Sequence, residues 1–170
     1  FEYHGPHREL LLSLRRQRQM CIRDSDIFGY GSIIFKPPPH VISYTPGYIQ
    51  GFVRRFALHS EDHRGTPERP GRVVTLVSAD HWHSLPGADD APEGDIVWGI
   101  SYTIDPAHAD EVRAYLDNRE KIGYTPMWAP IFGYHGMSEE PQVLVPEALV
   151  YVGLPDHEAF VGPQPLDELA

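Results

Sequence analysis

From Asp26 onward the apolar positions fall in short runs of β type, separated by stretches of proline, glycine and charge. Residues 27–35 are apolar and β-branched, and they end at Pro37-Pro38-Pro39, which no helix can enter. Further strand-like runs cover 51–58, 72–77, 96–104 and 142–152, the last broken near Pro146. Within 97–104, Trp98, Ile100, Tyr102 and Ile104 alternate with smaller residues, the period of two that predicts a half-buried strand. Residues 61–71 and 84–94 are predicted loops. One helix stands out. Asp105 is a fitting N-cap with Pro106 at the first position, residues 108–118 follow, and Gly123 lies just past a last turn bearing Arg119 and Lys121. Its apolar face runs Ala109, Val112, Leu116, and four residues further stands Glu120, at the edge of that inward face. Burial there raises a carboxyl pKa by desolvation. Glu111 falls on the opposite side at about 100° per residue, which argues against a carboxylate dyad on this helix.

Length changes this picture little: 170 residues suit one domain with a single core. Charge changes it more. Residues 1–25 hold five arginines against Glu2, Glu9 and Asp24, a net +2 in a chain whose total is −10. Residues 15–25 resemble translated sequencing-adapter read-through, with a native basic helix as the alternative, so 1–25 are expected to be a non-native extension and 26–170 the domain. The remaining acidic surface argues against duplex nucleic acid as a partner, because phosphate binding needs a basic face. A small anion remains possible where arginines cluster, which singles out Arg54, Arg55 and Arg72. The lone Cys21 forms no internal disulfide, and Leu10-Leu11-Leu12 is too short and too Arg-flanked to span a membrane. A cytoplasmic address is therefore expected.

Two features carry candidate chemistry. The run Phe28-Gly29-Tyr30-Gly31-Ser32 reads as a glycine-flanked turn whose backbone N–H groups converge on an anion, with glycine supplying dihedrals closed to other residues, or else as a strand-end turn without a ligand. A nucleotide cradle fails, since the third glycine is absent and the triple proline forbids the helix that should follow. Glu120 is either a general acid/base or a solvated helix-end acid paired with Arg119 or Lys121. Ten histidines raise the question of metal, but His59 and His63 lie in a loop-like context and His81 and His83 flank Trp82, so no metal site is predicted from spacing. Ser32 lacks a nucleophile-elbow pattern. Arg54-Arg55 before Phe56 reads as a strand edge carrying charge outward.

Four motifs in fixed order decide between these readings. They are the FGYGS run; Asp62-His63-Arg64-Gly65-Thr66-Pro67 followed by Pro70-Gly71-Arg72-Val73-Val74-Thr75-Leu76; Tyr115-Leu116-Asp117-Asn118-Arg119-Glu120-Lys121-Ile122-Gly123-Tyr124; and Tyr151-Val152-Gly153 with Phe160-Val161-Gly162-Pro163. Over residues 27–169 the chain resembles the ChaC family of glutathione-specific γ-glutamylcyclotransferases. The resemblance implies an α+β fold, a mixed β-barrel with flanking helices. It also implies a lyase activity that releases 5-oxoproline and Cys-Gly from reduced glutathione without a cofactor. Matched residue by residue, the substrate-binding turn falls on Ile27, Phe28, Gly29, Tyr30, Gly31 and Ser32 and the acid/base on Glu120, with Arg72 and Tyr151 as further substrate contacts. Departures from the family pattern are Ile33 where leucine is usual, an apparent insertion at 84–93, and Pro126 and Pro130 interrupting a long β segment. The chain also stops at Ala170, before the helices that close the family's domain. The alternatives are a cyclotransferase for another γ-glutamyl amine, or a non-catalytic barrel that binds γ-glutamyl compounds or a protein partner.

Overall fold

The structure, a computed structural model, describes residues 26–61, 64–90, 94–120, 123–134 and 140–165. The expectation for residues 1–25 falls outside these, as do Asp62, His63, Lys121 and Ile122 of the quoted motifs. Five strands close a mixed barrel in the order β1 (Asp26–Gly29), β5 (Ile96–Ile104), β2 (Val41–Gln50), β6 (Tyr124–Gly133) and β7 (Gln142–Gly153). Neighbours are antiparallel except at the closure, where β1 meets β7 in parallel with Ile27 opposite Leu149. A separate antiparallel pair, β3 (Phe52–Ser60) and β4 (Gly71–Ser78), lies against the barrel. A short helix α1 (Ala79–Ser84) follows β4, and the longer α2 (Ala109–Arg119) follows β5. The expected α+β fold, a mixed barrel with flanking helices, is therefore what the chain forms.

Closure and the elements packed outside it explain much of the hydrophobic pattern, because parts of the barrel strands are buried on both faces. Along β7, Ala148, Val150 and Val152 enter a cluster with Phe28, Ile49, Leu76, Val97 and Ile131, while Leu149 and Tyr151 enter another. That second cluster is where α2 docks. Val112 and Leu116 are fully buried against Ile27, Ile104, Leu149 and Tyr151, as the helix's apolar face predicts, each worth about 1.5–3 kcal/mol relative to exposure. A third cluster joins β3 and β4 to α1 through Val53, Val77 and Trp82.

Several sequence expectations need correction. The apolar run 27–35 is not one strand: β1 stops at Gly29, and Ser32–Ile34 turn in a 3-10 helix. β2 was not among the expected strands, and it runs through Pro46-Gly47, a pair more usual in turns. Both residues nevertheless pair, with Ile100 and Gly99, and Gly47 is required by close approach, since a Cβ there would stand 2.6 Å from the Phe132 carbonyl oxygen. Helix α1 was also missed. Pro126 and Pro130 do not interrupt β6, which runs unbroken from Tyr124 to Gly133, with register shifts on either side of Ile131 beside Pro130. Trp98 does not share the buried face of β5: it is 47% exposed, whereas Val97 and Ser101 are buried.

Candidate active site

The site is built where the end of β1, the end of α2 and the middle of β4 converge. Asp105 starts the helical segment by accepting from the Ala107 N–H at 2.9 Å, capping a 3-10 turn (Pro106–His108) that leads into α2. The last helical hydrogen bond runs from the Glu120 N–H to the Leu116 carbonyl at 2.8 Å. The four-residue step from Leu116 therefore holds to the end of the helix, and the Glu120 side chain is only 16% exposed. Its neighbour Arg119 faces it, Nε to Oε1 at 3.5 Å, and also donates from Nη2 to Ser32 Oγ at 2.8 Å. Acid and glycine turn, 88 residues apart in the chain, are thus joined through one arginine.

The turn itself is held from several sides. The Tyr30 hydroxyl donates to the Tyr151 carbonyl at 2.7 Å, and Arg54 Nη1 donates to the Tyr30 carbonyl at 3.0 Å. Arg54 is exposed, as expected of it, and also meets the turn, while the less exposed Arg55 pairs with Asp89 at 2.8 Å and lies over Trp82. The 3-10 helix starts with the Ile34 N–H bonded to the Gly31 carbonyl, so the N–H groups of Ser32 and Ile33 have no acceptor within the turn. Gly31 has φ −127° and ψ −129°, outside the left-handed region but also away from the β and right-handed helical regions of other residues, and a Cβ there would approach Val74 Cγ1 at 3.1 Å, so closeness to β4 adds to the requirement for glycine.

Three phenols feel the charge of the acid, Tyr30 and Tyr151 buried and Tyr124 partly buried. Burial, as the largest cause, pushes the Tyr30, Tyr124 and Tyr151 hydroxyls above the ordinary value of 10.0, and the negative charge of Glu120 adds to the upward shift of each. They are neutral hydrogen-bond donors at neutral pH. Tyr124 donates to the Val74 carbonyl at 2.7 Å, and Tyr151 donates to Asp117 Oδ1 at 2.6 Å. Asp117 is held in turn by Arg113, Nε to Oδ1 at 3.2 Å.

Of the residues singled out from sequence, Tyr30, Gly31, Ser32, Tyr151 and Glu120 come together. Ile27 and Phe28 are 2% and 1% exposed and point into two different core clusters, so their side chains serve packing. Gly29 ends β1 between them and the turn. Arg72 lies on β4, but its Nε donates to Gln164 Oε1 at 2.7 Å, toward the end of the chain. Sequence reasoning passed over Tyr124, Val74 and Asp117, although all three stand in the quoted motifs; a tyrosine two strands away gives no local signal of its partner.

One carboxylate, two guanidinium groups and free N–H donors at a turn suit a small anionic ligand and the movement of one proton. Comparison with known proteins agrees in character. A Schizosaccharomyces pombe protein named glutathione-specific gamma-glutamylcyclotransferase is 42% identical over 143 residues, covering 84% of this chain and 68% of the relative. A Saccharomyces cerevisiae protein of the same name is 38% identical, covering 85% and 74%. A crystal structure of a yeast γ-glutamyl cyclotransferase specific to glutathione superposes with a TM-score of 0.72 at 36% identity, over 85% of this chain and 76% of that one. The family model described as ChaC-like protein matches residues 26–170, the whole barrel with both sides of the site, and so the chain belongs to the ChaC-like family.

Proposed function

We infer that this protein is a glutathione-specific γ-glutamylcyclotransferase, a lyase that converts reduced glutathione to 5-oxoproline and Cys-Gly. The observation that carries the reading is Glu120, a largely buried carboxylate tied through Arg119 to the Ser32 turn, in a chain whose relatives bear that name. In a γ-glutamyl amide the α-amine reaches the γ-carbonyl of the same residue and closes a five-membered ring. Orientation then replaces a protein nucleophile. The substrate α-carboxylate sits on the N–H groups of Ser32 and Ile33, at the Tyr30-Gly31-Ser32 turn, with Arg54 adding positive charge at the same turn. As the amine attacks, Glu120 takes its proton and returns it to the departing cysteinyl nitrogen, so that the C–N bond breaks to a neutral amine. Backbone donors balance the charge on the tetrahedral oxygen. The step needs no redox change, and no cofactor is assigned to it.

Reduced glutathione is a cytosolic thiol pool, which supports a cytoplasmic address within this reading. Among the described residues no helix is long and apolar enough to cross a membrane. The test is direct: purified protein incubated with reduced glutathione releases 5-oxoproline and Cys-Gly in equal amounts. Turnover of other γ-glutamyl amines in place of glutathione would redirect the substrate assignment, and no product from any of them would leave a binding barrel.

A further inference from the structure

Away from Glu120, three side chains from distant parts of the sequence meet at the start of α2. His40 precedes β2, His108 precedes α2 and Glu111 lies in its first turn; one donor atom from each falls within 4.8 Å of the other two. His40 Nε2 is 3.6 Å from Glu111 Oε1, and the rings of His40 and His108 stack with centroids 3.8 Å apart and 3° between planes. The backbone holds His40 in place at a cost. Its φ is 61°, in the left-handed region that a β-carbon disfavours, and its carbonyl accepts from the Asp105 N–H at 2.9 Å. Backbone strain of this kind persists where its surroundings fix it, and it concentrates at binding positions.

We propose that His40, His108 and Glu111 bind a divalent transition-metal ion of the zinc type, with water completing the coordination. Two imidazoles and one carboxylate form a borderline donor set that suits zinc and its neighbours and does not suit calcium or magnesium, which take oxygen. Metal–ligand bonds of about 2.0–2.2 Å set tetrahedral donor atoms roughly 3.3–3.6 Å apart. His40 and Glu111 already meet that spacing, and the imidazoles converge by tilting out of their parallel stack. Asp105 supplies the outer support that ligating histidines use. Its Oδ1 is engaged by Ala107, while Oδ2 lies 3.6 Å from His108 Nδ1, a buried nitrogen with no hydrogen-bond partner among the described residues. Coordination through Nε2 lets Nδ1–H close onto that oxygen.

The site is separate from the proposed chemistry. Glu111 and Glu120 lie on opposite sides of α2 and about 13 Å apart along its axis. Sequence spacing gave no sign of it, because His40 arrives from another segment and only the fold completes the set.

Zinc chloride titrated into the chelator-treated full chain tests the proposal by calorimetry and thermal melting. One saturable equivalent and an upward shift in Tm are expected, with magnesium at the same concentration producing neither. His40→Gly removes a donor and relieves the left-handed strain, so it folds at least as well as the parent, yet it should weaken zinc binding by about tenfold or more. Glu111→Gln should weaken it comparably, and neither variant should lose metal-free release of 5-oxoproline. Absence of saturable zinc binding, or unchanged affinity in both folded variants, overturns the assignment.

Discussion

Arg119 Nη2 donates to Ser32 Oγ across 2.8 Å, joining the end of α2 to the turn after β1. The same guanidinium lies 3.5 Å from the Glu120 carboxylate, so one side chain sets the distance between the acid and the glycine turn. Its stabilising value is modest, because Ser32 is exposed and exposed polar contacts are worth about 1 kcal/mol or less. Its positional value is larger. Arg119→Ala and Ser32→Ala should each raise KM for glutathione, and the double variant should show less than the sum of the two effects. Additive effects would mean that the two residues act independently.

Replacing Glu120 by Gln keeps the shape of the side chain and removes its capacity to accept a proton. Turnover should fall by about 10²–10⁴-fold, the usual range for a general acid–base group, while calorimetric binding of glutathione is retained. A folded Glu120→Gln protein that releases 5-oxoproline at the parent rate would remove this residue from the mechanism.

Gly31→Val places a branched side chain where even a single Cβ comes within 3.1 Å of Val74 Cγ1. The turn must move away from β4, carrying the Ser32 and Ile33 N–H groups with it. Glutathione affinity should drop by more than about tenfold, with the thermal melt still cooperative. Unchanged affinity in the folded variant would put the anion site elsewhere.

Tyr151 is 4% exposed, and its hydroxyl is committed to Asp117 at 2.6 Å. Tyr151→Phe should therefore lower stability by about 1 kcal/mol through the lost hydrogen bond, with little change in KM. A tenfold rise in KM at unchanged stability would instead make the hydroxyl a substrate contact.

The buried phenols also set an alkaline limit. Burial first, then the neighbouring Asp117 for Tyr151 and Glu120 for Tyr124, raise these hydroxyls above the ordinary 10.0. Tyr30 is raised well above it, again by burial first. Their folded-state pKa values exceed the unfolded ones, so their contribution to stability is complete below pH 10 and is lost as pH climbs through the folded values. Melting temperature should fall steeply above pH 10, and a phenolate absorbance titration of the folded protein should leave a fraction of the nine tyrosines un-ionised until unfolding. Ionisation of all nine near pH 10 without loss of fold would contradict the burial argument.

The sequence by itself determined the local devices. Asp105, Pro106 and the Ala109, Val112, Leu116 stripe specify a helix whose i+4 continuation is Glu120, because cap chemistry and the 3.6-residue period are properties of neighbouring residues. The FGYGS and Glu120 motifs marked both halves of the site by resemblance. What only the tertiary structure decided are matters of approach between distant segments. The strand through Pro46-Gly47 needs glycine at 47 because a backbone carbonyl of β6 lies where a side chain would be. At Gly31 a Cβ would stand 3.1 Å from Val74 Cγ1, a close approach that no local pattern signals. Arg54 turns to Tyr30 while Arg55, one residue on, turns to Asp89, a choice set by what each face of β3 meets. Along β5, Val97 enters one core cluster while Tyr102 and Ile104 enter another and Trp98 stays exposed, so the alternation expected of this strand does not hold.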